Sequence, residues 1–301
     1  AGKATASGKL IFTPTANLEV KSPDGSVLYE LGKDYRWTSG SRVIELTEAT
    51  RIPFKTAAEM APGSGKPHTI AGVLHSEGRF FYDLQMMVSY RHAERIDGLI
   101  PVAGKTLARS LKKLGEKKPF KVVALGDSIT EGYNASGFRL SKAQRNQAPY
   151  AELFGQSLEQ RFKTPVTVKN LAIAGKTAAW GLQMAGKVTQ ENPDLVILAF
   201  GMNDRVSPEH FQATIRQLVA ILQAGSPDAD IVLVSPMTDN PTVWKDGRIV
   251  KFRDALHAID QPNVLHADVT TPWRTLLERK HFSDLSGNNI NHPNDFGHRL
   301  Y

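Results

Sequence analysis

The chain has 301 residues, 37 Lys+Arg against 30 Asp+Glu, a formal net charge of +7 and no cysteine. That length allows one large or two ordinary domains with a substantial core. Without thiols there is no disulfide scaffold, no Cys-ligated zinc or iron–sulfur site and no cysteine nucleophile, and no apolar run approaches the ~20 residues a membrane span needs. The start, Ala1-Gly2-Lys3-Ala4, carries neither an initiator Met nor the apolar stretch of a signal peptide. Such a start fits either a mature N-terminus after cleavage, which would make the protein secreted or periplasmic, or an arbitrary boundary of the sequence.

Residues 1–103 read as β. Lys9–Phe12, Asn17–Val20, Val27–Leu31 and Arg42–Leu46 are short runs of β-branched or alternating character, separated by Ser22-Pro23-Asp24-Gly25 and Ser39-Gly40-Ser41. A later pair, His68–Leu74 and Arg79–Tyr90, brackets the turn Ser76-Glu77-Gly78. Strands at this spacing predict a β-sandwich accessory domain. Its His75, Tyr90 and His92 suggest surface or packing roles rather than chemistry. Residues 104–119 predict a basic linker helix, with Leu107, Leu111 and Leu114 on one face, Gly115 as cap and Pro119 as stop. Between 105 and 121 seven basic residues face one acidic residue, so this stretch holds nearly all of the excess charge. The expectation is a solvated helix joining two domains rather than a nucleic-acid or membrane-binding element.

After Pro119 the pattern becomes β–α alternation. Apolar runs at 121–125, 166–171, 195–200, 231–235 and 264–267 alternate with helix-period segments near 146–162, 178–190, 208–224, 248–259 and 271–280. Five such units predict a parallel sheet covered by helices on both faces, with ligands bound beyond the carboxyl ends of the strands. Those ends carry Gly126-Asp127-Ser128, where a serine at a strand-to-helix turn presents its hydroxyl outward and the following helix would favour negative charge. They also carry Gly175, which can offer a backbone N–H at close approach, then Gly201-Met202-Asn203-Asp204, and near the terminus Asn291-His292-Pro293-Asn294-Asp295-Phe296-Gly297-His298.

Taken together, G-D-S-I-T-E-G at 126–132, N-L-A-I-A-G-K-T at 170–177, G-M-N-D at 201–204 and H-P-N-D-F-G at 292–297 resemble the four blocks of SGNH hydrolases of the GDSL type, over about residues 120–301. The resemblance implies a flavodoxin-like three-layer α/β/α fold and ester hydrolysis through an acyl-serine. Ser128 would be the nucleophile and His292 the general base. The N–H groups of Ser128 and Gly175, with the Asn203 amide, would form the oxyanion hole. Neither metal nor cofactor is required. The chemistry agrees, since a neutral serine needs an adjacent base and a tetrahedral oxyanion needs donors fixed beforehand.

One position departs from the family. Its last block usually places an aspartate three residues before the histidine, where this chain has Asn289. Three readings follow: a Ser–His dyad oriented by Asn289 or a backbone carbonyl, Asp284 folding back as third member, or His298 as the base. His292 is the expected base, because H-P-N fits the family block and F-G-H fits the start of the next helix. The family usually adds a terminal helix after this block.

The polar loop 131–149, with Tyr133, Asn134, Phe138, Arg139 and Arg145, together with Trp180 and Arg205, is expected near the cleft. Asn134-Ala135-Ser136 is formally a glycosylation sequon. An N-terminal β domain before such a hydrolase resembles the arrangement of carbohydrate acetylesterases, so the expected substrate is an acetylated oligo- or polysaccharide. A lysophospholipase or thioesterase, or a carbohydrate O-acetyltransferase, would use the same residues. Residues 122–301 balance at 18 basic to 18 acidic, giving no net-charge preference for an acidic substrate.

Overall fold

The computed structural model describes residues 6–16, 18–97, 107–138, 147–245 and 247–301. Its N-terminal part contains β1 (Ser7–Lys9), β2 (Glu19–Lys21), β3 (Tyr35–Trp37), β4 (Val43–Leu46), the helical turn α1 (Ala57–Met60), β5 (Thr69–Ile70), β6 (Val73–Leu74), a second turn α2 (Phe80–Asp83) and β7 (Met87–Ser89). A three-stranded antiparallel sheet, β1-β4-β3, and a two-stranded sheet, β2-β7, share one core of Leu10, Val20, Tyr35, Ile44, Leu46 and Ile52. The expected sandwich is therefore a reduced one. The run Val27–Leu31 makes only isolated bridges, and the strand expected over 79–90 opens as α2, whose Phe81 and Tyr82 are buried side by side, before extending at Met87. His92 stacks on Phe12 at 3.8 Å, and the Tyr90 hydroxyl accepts the Phe12 N–H. Both are packing residues.

Helix α3 (Ala108–Gly115) follows. Most of its residues are exposed, as expected, but one face is docked. Leu114 is fully buried, Ser110 N–H donates to Asp230, Arg109 donates to the Pro227 carbonyl and Lys113 pairs with Asp194. Leu111 faces water, so the apolar stripe is narrower than expected. The left-handed residue that ends the helix is Lys117 (φ 55°), not Gly115, and Lys118 N–H returns to the Lys113 carbonyl.

The remainder is β8 (Phe120–Gly126), α4 (Ser128–Glu131), α5 (Tyr150–Phe162), β9 (Val166–Asn170), α6 (Ala178–Gln190), β10 (Leu195–Ala199), α7 (Pro208–Gly225), β11 (Asp230–Val234), α8 (Arg248–His257), β12 (Val264–Ala267), α9 (Thr270–Leu277), α10 (Phe282–Leu285) and α11 (Asp295–Leu300). The strands form one parallel sheet in the order β12-β11-β10-β8-β9, the flavodoxin-like arrangement. Alternation along β8 explains the layers. Phe120, Val122 and Ala124 pack toward α5, α9 and α10, while Val123 and Leu125 pack toward α6 and α7. The order of strands reverses between β8 and β10, which places the crevice of such a sheet beside Ser128 and Asn203.

Candidate active site

Ser128 follows β8 directly and is buried. Asp127 caps α4 by accepting the Ile129 N–H at 3.0 Å. Burial pushes the Asp127 carboxyl up to about 7; the Ile129 N–H pulls it down, and the charge of nearby Asp204 adds to the rise. Helix α4 is a single turn ending at Gly132, too short for the helix-end contribution expected from sequence, so donors at this site must come from individual groups.

The second and third loops converge on this turn. The Glu131 carboxylate accepts the Ala174 N–H at 2.6 Å, and the Ile173 N–H donates to the Gly126 carbonyl. Gly175 sits next in the chain at φ 76°, a conformation that residues with a Cβ rarely adopt. The Asn203 amide donates to the Lys176 carbonyl at 3.2 Å, which brings its Nδ2 beside the Gly175 turn. Asp204 caps α6 through the Ala178 N–H. Ser128, Gly175 and Asn203 are thus drawn together by named hydrogen bonds.

Sequence reading missed the residue that fixes the third loop. Arg248, buried on α8, donates to the carbonyls of Gly201, Met202 and Asp204 and pairs with buried Asp239 at 2.9 Å. No motif announces it; Arg248 is one of three basic side chains along α8, with Lys251 and Arg253.

His292 Nε2 lies 2.8 Å from Ser128 Oγ, and its Nδ1 lies 2.8 Å from Asn134 Oδ1. The Asn134 amide nitrogen donates to the Gly287 carbonyl at 3.0 Å, so its oxygen faces the imidazole. Nδ1 then carries the proton, and the Nε2 lone pair accepts from the serine hydroxyl. Asn134 comes this close because residue 287 is glycine: a Cβ there would sit 2.4 Å from Asn134 Cβ. The sequon asparagine is therefore a buried part of the site.

The two expected third members lie elsewhere. Asn289, at φ 64°, turns its amide to the Leu74 carbonyl. Asp284 is occupied by the His281 N–H and Lys280. The loop closes instead around Asn288, whose Oδ1 accepts the N–H groups of Ile290, Asn291 and His292. This network draws the backbone into a tight coil, so position 289 points away from the imidazole. One further carboxylate approaches: Glu77 Oε1 is 3.4 Å from His292 Nδ1 and accepts from Asn288 Nδ2 at 2.9 Å. His298 is fully buried, hydrogen-bonded to the Tyr133 carbonyl, and burial pushes it down to about 4. It begins no proton transfer with Ser128; it is a packing residue of α11.

Of the expected cleft residues, Tyr133 lies with its ring 5.4 Å from His292. Arg205 covers the ring of Trp244 at 5.5 Å and donates to the Met202 carbonyl. Trp180 packs instead against Phe200 in the layer behind the sheet, with Lys176 over its ring. Arg139 and Arg145 lie outside the described residues.

Among solved structures, the chain is similar to a two-domain esterase active on acetylated mannans, co-crystallised with mannopentaose: TM-score 0.52 and 22% identity over 64% of this chain and 50% of that one. The same esterase without the sugar gives 0.52 and 22% over 64% and 49%. An acetyl-xylooligosaccharide esterase from Geobacillus stearothermophilus gives 0.49 and 20% over 60% and 90%. The chain spans about half the length of the two-domain esterase, and at this identity the likeness concerns the fold. No curated protein matches the chain. No helix among the described residues is long and apolar enough to cross a membrane. Residues 124–300, more than half of the sequence and all four loops of the site, match the GDSL-like Lipase/Acylhydrolase family, and the chain belongs to it.

Proposed function

We propose that the protein is a serine esterase that removes acetyl groups from O-acetylated carbohydrate. The observation that carries ester hydrolysis is the run Ser128 Oγ–His292 Nε2, 2.8 Å, with Nδ1 held by Asn134, also at 2.8 Å. In this reading Ser128 Oγ attacks the ester carbonyl carbon while its proton passes to His292 Nε2. The Ser128 and Gly175 N–H groups and the Asn203 amide receive the developing oxyanion. The intermediate collapses, the sugar oxygen leaves with the proton from His292, and an acetyl-serine remains. Water then gives its proton to His292 and attacks the acyl carbon, so that acetate departs and Ser128 is regenerated.

The carbohydrate part is supported by the similarity of fold to an esterase active on acetylated mannans and by the Tyr133 ring beside His292, an aromatic face of the kind on which a sugar can pack. A secreted or periplasmic location accords with such a substrate. The test is release of acetate from a panel of acetylated mannans and xylans, with Ser128→Ala as control, beside acetyl and long-chain nitrophenyl esters. Acetate release lost in the variant supports the reading; turnover of long-chain esters alone overturns the substrate class.

A further inference from the structure

We propose that Glu77, from the N-terminal part of the chain, is the acidic partner of His292, a positioning residue that takes the place of the aspartate missing from the last family block. The inference deepens the esterase reading and rests on it.

The geometry argues in three steps. First, the proton on Nδ1 is taken by Asn134 Oδ1 at 2.8 Å, and Glu77 Oε1 stands at ion-pair distance, 3.4 Å, from the same nitrogen. Asn134 is neutral. It fixes the tautomer and ring orientation but gives little stabilisation to the imidazolium formed when Ser128 loses its proton, which is the task of the carboxylate in such sites. Second, the other candidate carboxylates are engaged elsewhere. Asp284 holds the start of α10, and Asp295 accepts the Ser136 N–H. Among the described residues, the remaining titratable groups around the imidazole are Tyr133, which precedes α5, His298 from α11, and His75 beside Glu77; none of them is a carboxylate. Third, Glu77 is held in place. Its Oε1 accepts from the buried Asn288 amide, the same residue that gathers the His292 N–H. The stretch that carries it is tied to the His292 loop by His75 Nδ1–H to the Asn288 carbonyl, by Asn289 Nδ2 to the Leu74 carbonyl and by Gln85 Nε2 to the Ser286 carbonyl. Burial alone would raise the Glu77 carboxyl, but the hydrogen bond and charge of His292 and the Asn288 amide outweigh it and hold it below the ordinary value.

Asn289 and Glu77 therefore belong together. The asparagine at the family's aspartate position docks the N-terminal segment, and that segment returns a carboxylate to the imidazole.

The experiment compares full-length wild type, E77Q and S128A by two readouts. One is kcat and KM for nitrophenyl acetate across the pH range. The other is the rate at which a fluorophosphonate modifies Ser128, with fluoride as leaving group, followed by mass spectrometry. E77Q keeps an acceptor for Asn288, so a purely structural role leaves both readouts unchanged. The expected result is a fall in kcat of about tenfold or more with KM little changed. The acid limb of kcat/KM moves to lower pH, Ser128 modification slows by a similar factor, and Tm is retained. Activity and modification within about twofold of wild type, with the acid limb unmoved, overturn the assignment. Modification of Ser128 that depends on Glu77, without ester turnover, supports Glu77 and overturns the esterase reading. An unmodified Ser128 in wild type overturns both.

Discussion

The two ends of the five-stranded sheet handle charge in opposite ways. At the amino ends, Lys113 pairs with Asp194 and Lys121 with Glu191 with the lysines partly in water, while Asp230 is buried against the Ser110 N–H. At the carboxyl ends, Asp127, Asp204, Asp239, Arg248 and His292 are buried. The first arrangement is inexpensive and forgiving, because exposed ion pairs contribute little beyond what water offered. The second is costly and directional, because each buried polar group must be placed against a partner. The basic stretch that dominates the net charge thus belongs to the end of the sheet remote from Ser128.

Substitutions at the two ends should separate them sharply. The largest effect is expected from Ser128→Ala, which removes the nucleophile and should lower ester turnover by about 10³-fold or more with the fold retained by circular dichroism. Next, Asn203→Ala removes one side-chain oxyanion donor and should cost about 10²–10³ in kcat; a change confined to KM would remove Asn203 from that role. Arg248→Met leaves Asp239 buried without its cation and releases three carbonyls of the Asn203 loop. It should destabilise the fold by about 3–5 kcal/mol in denaturant unfolding. Asp127→Asn tests burial at the same end. A carboxyl raised to about 7 in the fold, from 3.8, gives stability that is present below the ordinary value and lost as pH rises toward 7. The Tm of wild type relative to the variant should therefore decline from about pH 4 to about pH 7 and level off above. Smallest of all, Lys113→Ala at the amino ends should change stability by no more than about 1 kcal/mol and leave turnover untouched. A larger loss there would erase the contrast.

Much of the α/β half was legible in the sequence, because its signals are local. The apolar runs that became the strands at 195–199 and, after Asp230, at 231–234, and the helix periods between them, need no knowledge of partners. The same holds for Ser128, Gly175, Asn203 and His292, the residues proposed for the chemistry, each of which sits in a short local block. What could not be read was set by distant contacts. Asn134 reaches His292 across 158 residues, and Arg248 reaches the Asn203 loop from another helix. Glu77 lies in an ordinary turn, and only the docking of the N-terminal part gives it a neighbour. The same cause misled the reading of 79–90: its aromatic run looks like a strand, but burying Phe81 and Tyr82 together favours a helical turn. In the basic helix, the charge count and the exposure of most of its surface agree with the reading, but Asp194 and Asp230 hold one face in a way no local signal announces.

The placement of Asn134 has a practical side. Glycosylation of N-x-S/T places a bulky group on the asparagine side-chain nitrogen. In this protein the sequon amide must donate to the Gly287 carbonyl while its oxygen faces the histidine ring. A glycan attached to that nitrogen would have to fit where even a single Cβ added at residue 287 would lie 2.4 Å from Asn134 Cβ. Production in a host that glycosylates its secreted proteins should therefore yield chains whose Asn134 loop cannot seat. Asn134→Gln would not recover them, because its longer side chain meets the same wall. A host without this modification is the one in which the folded enzyme should accumulate.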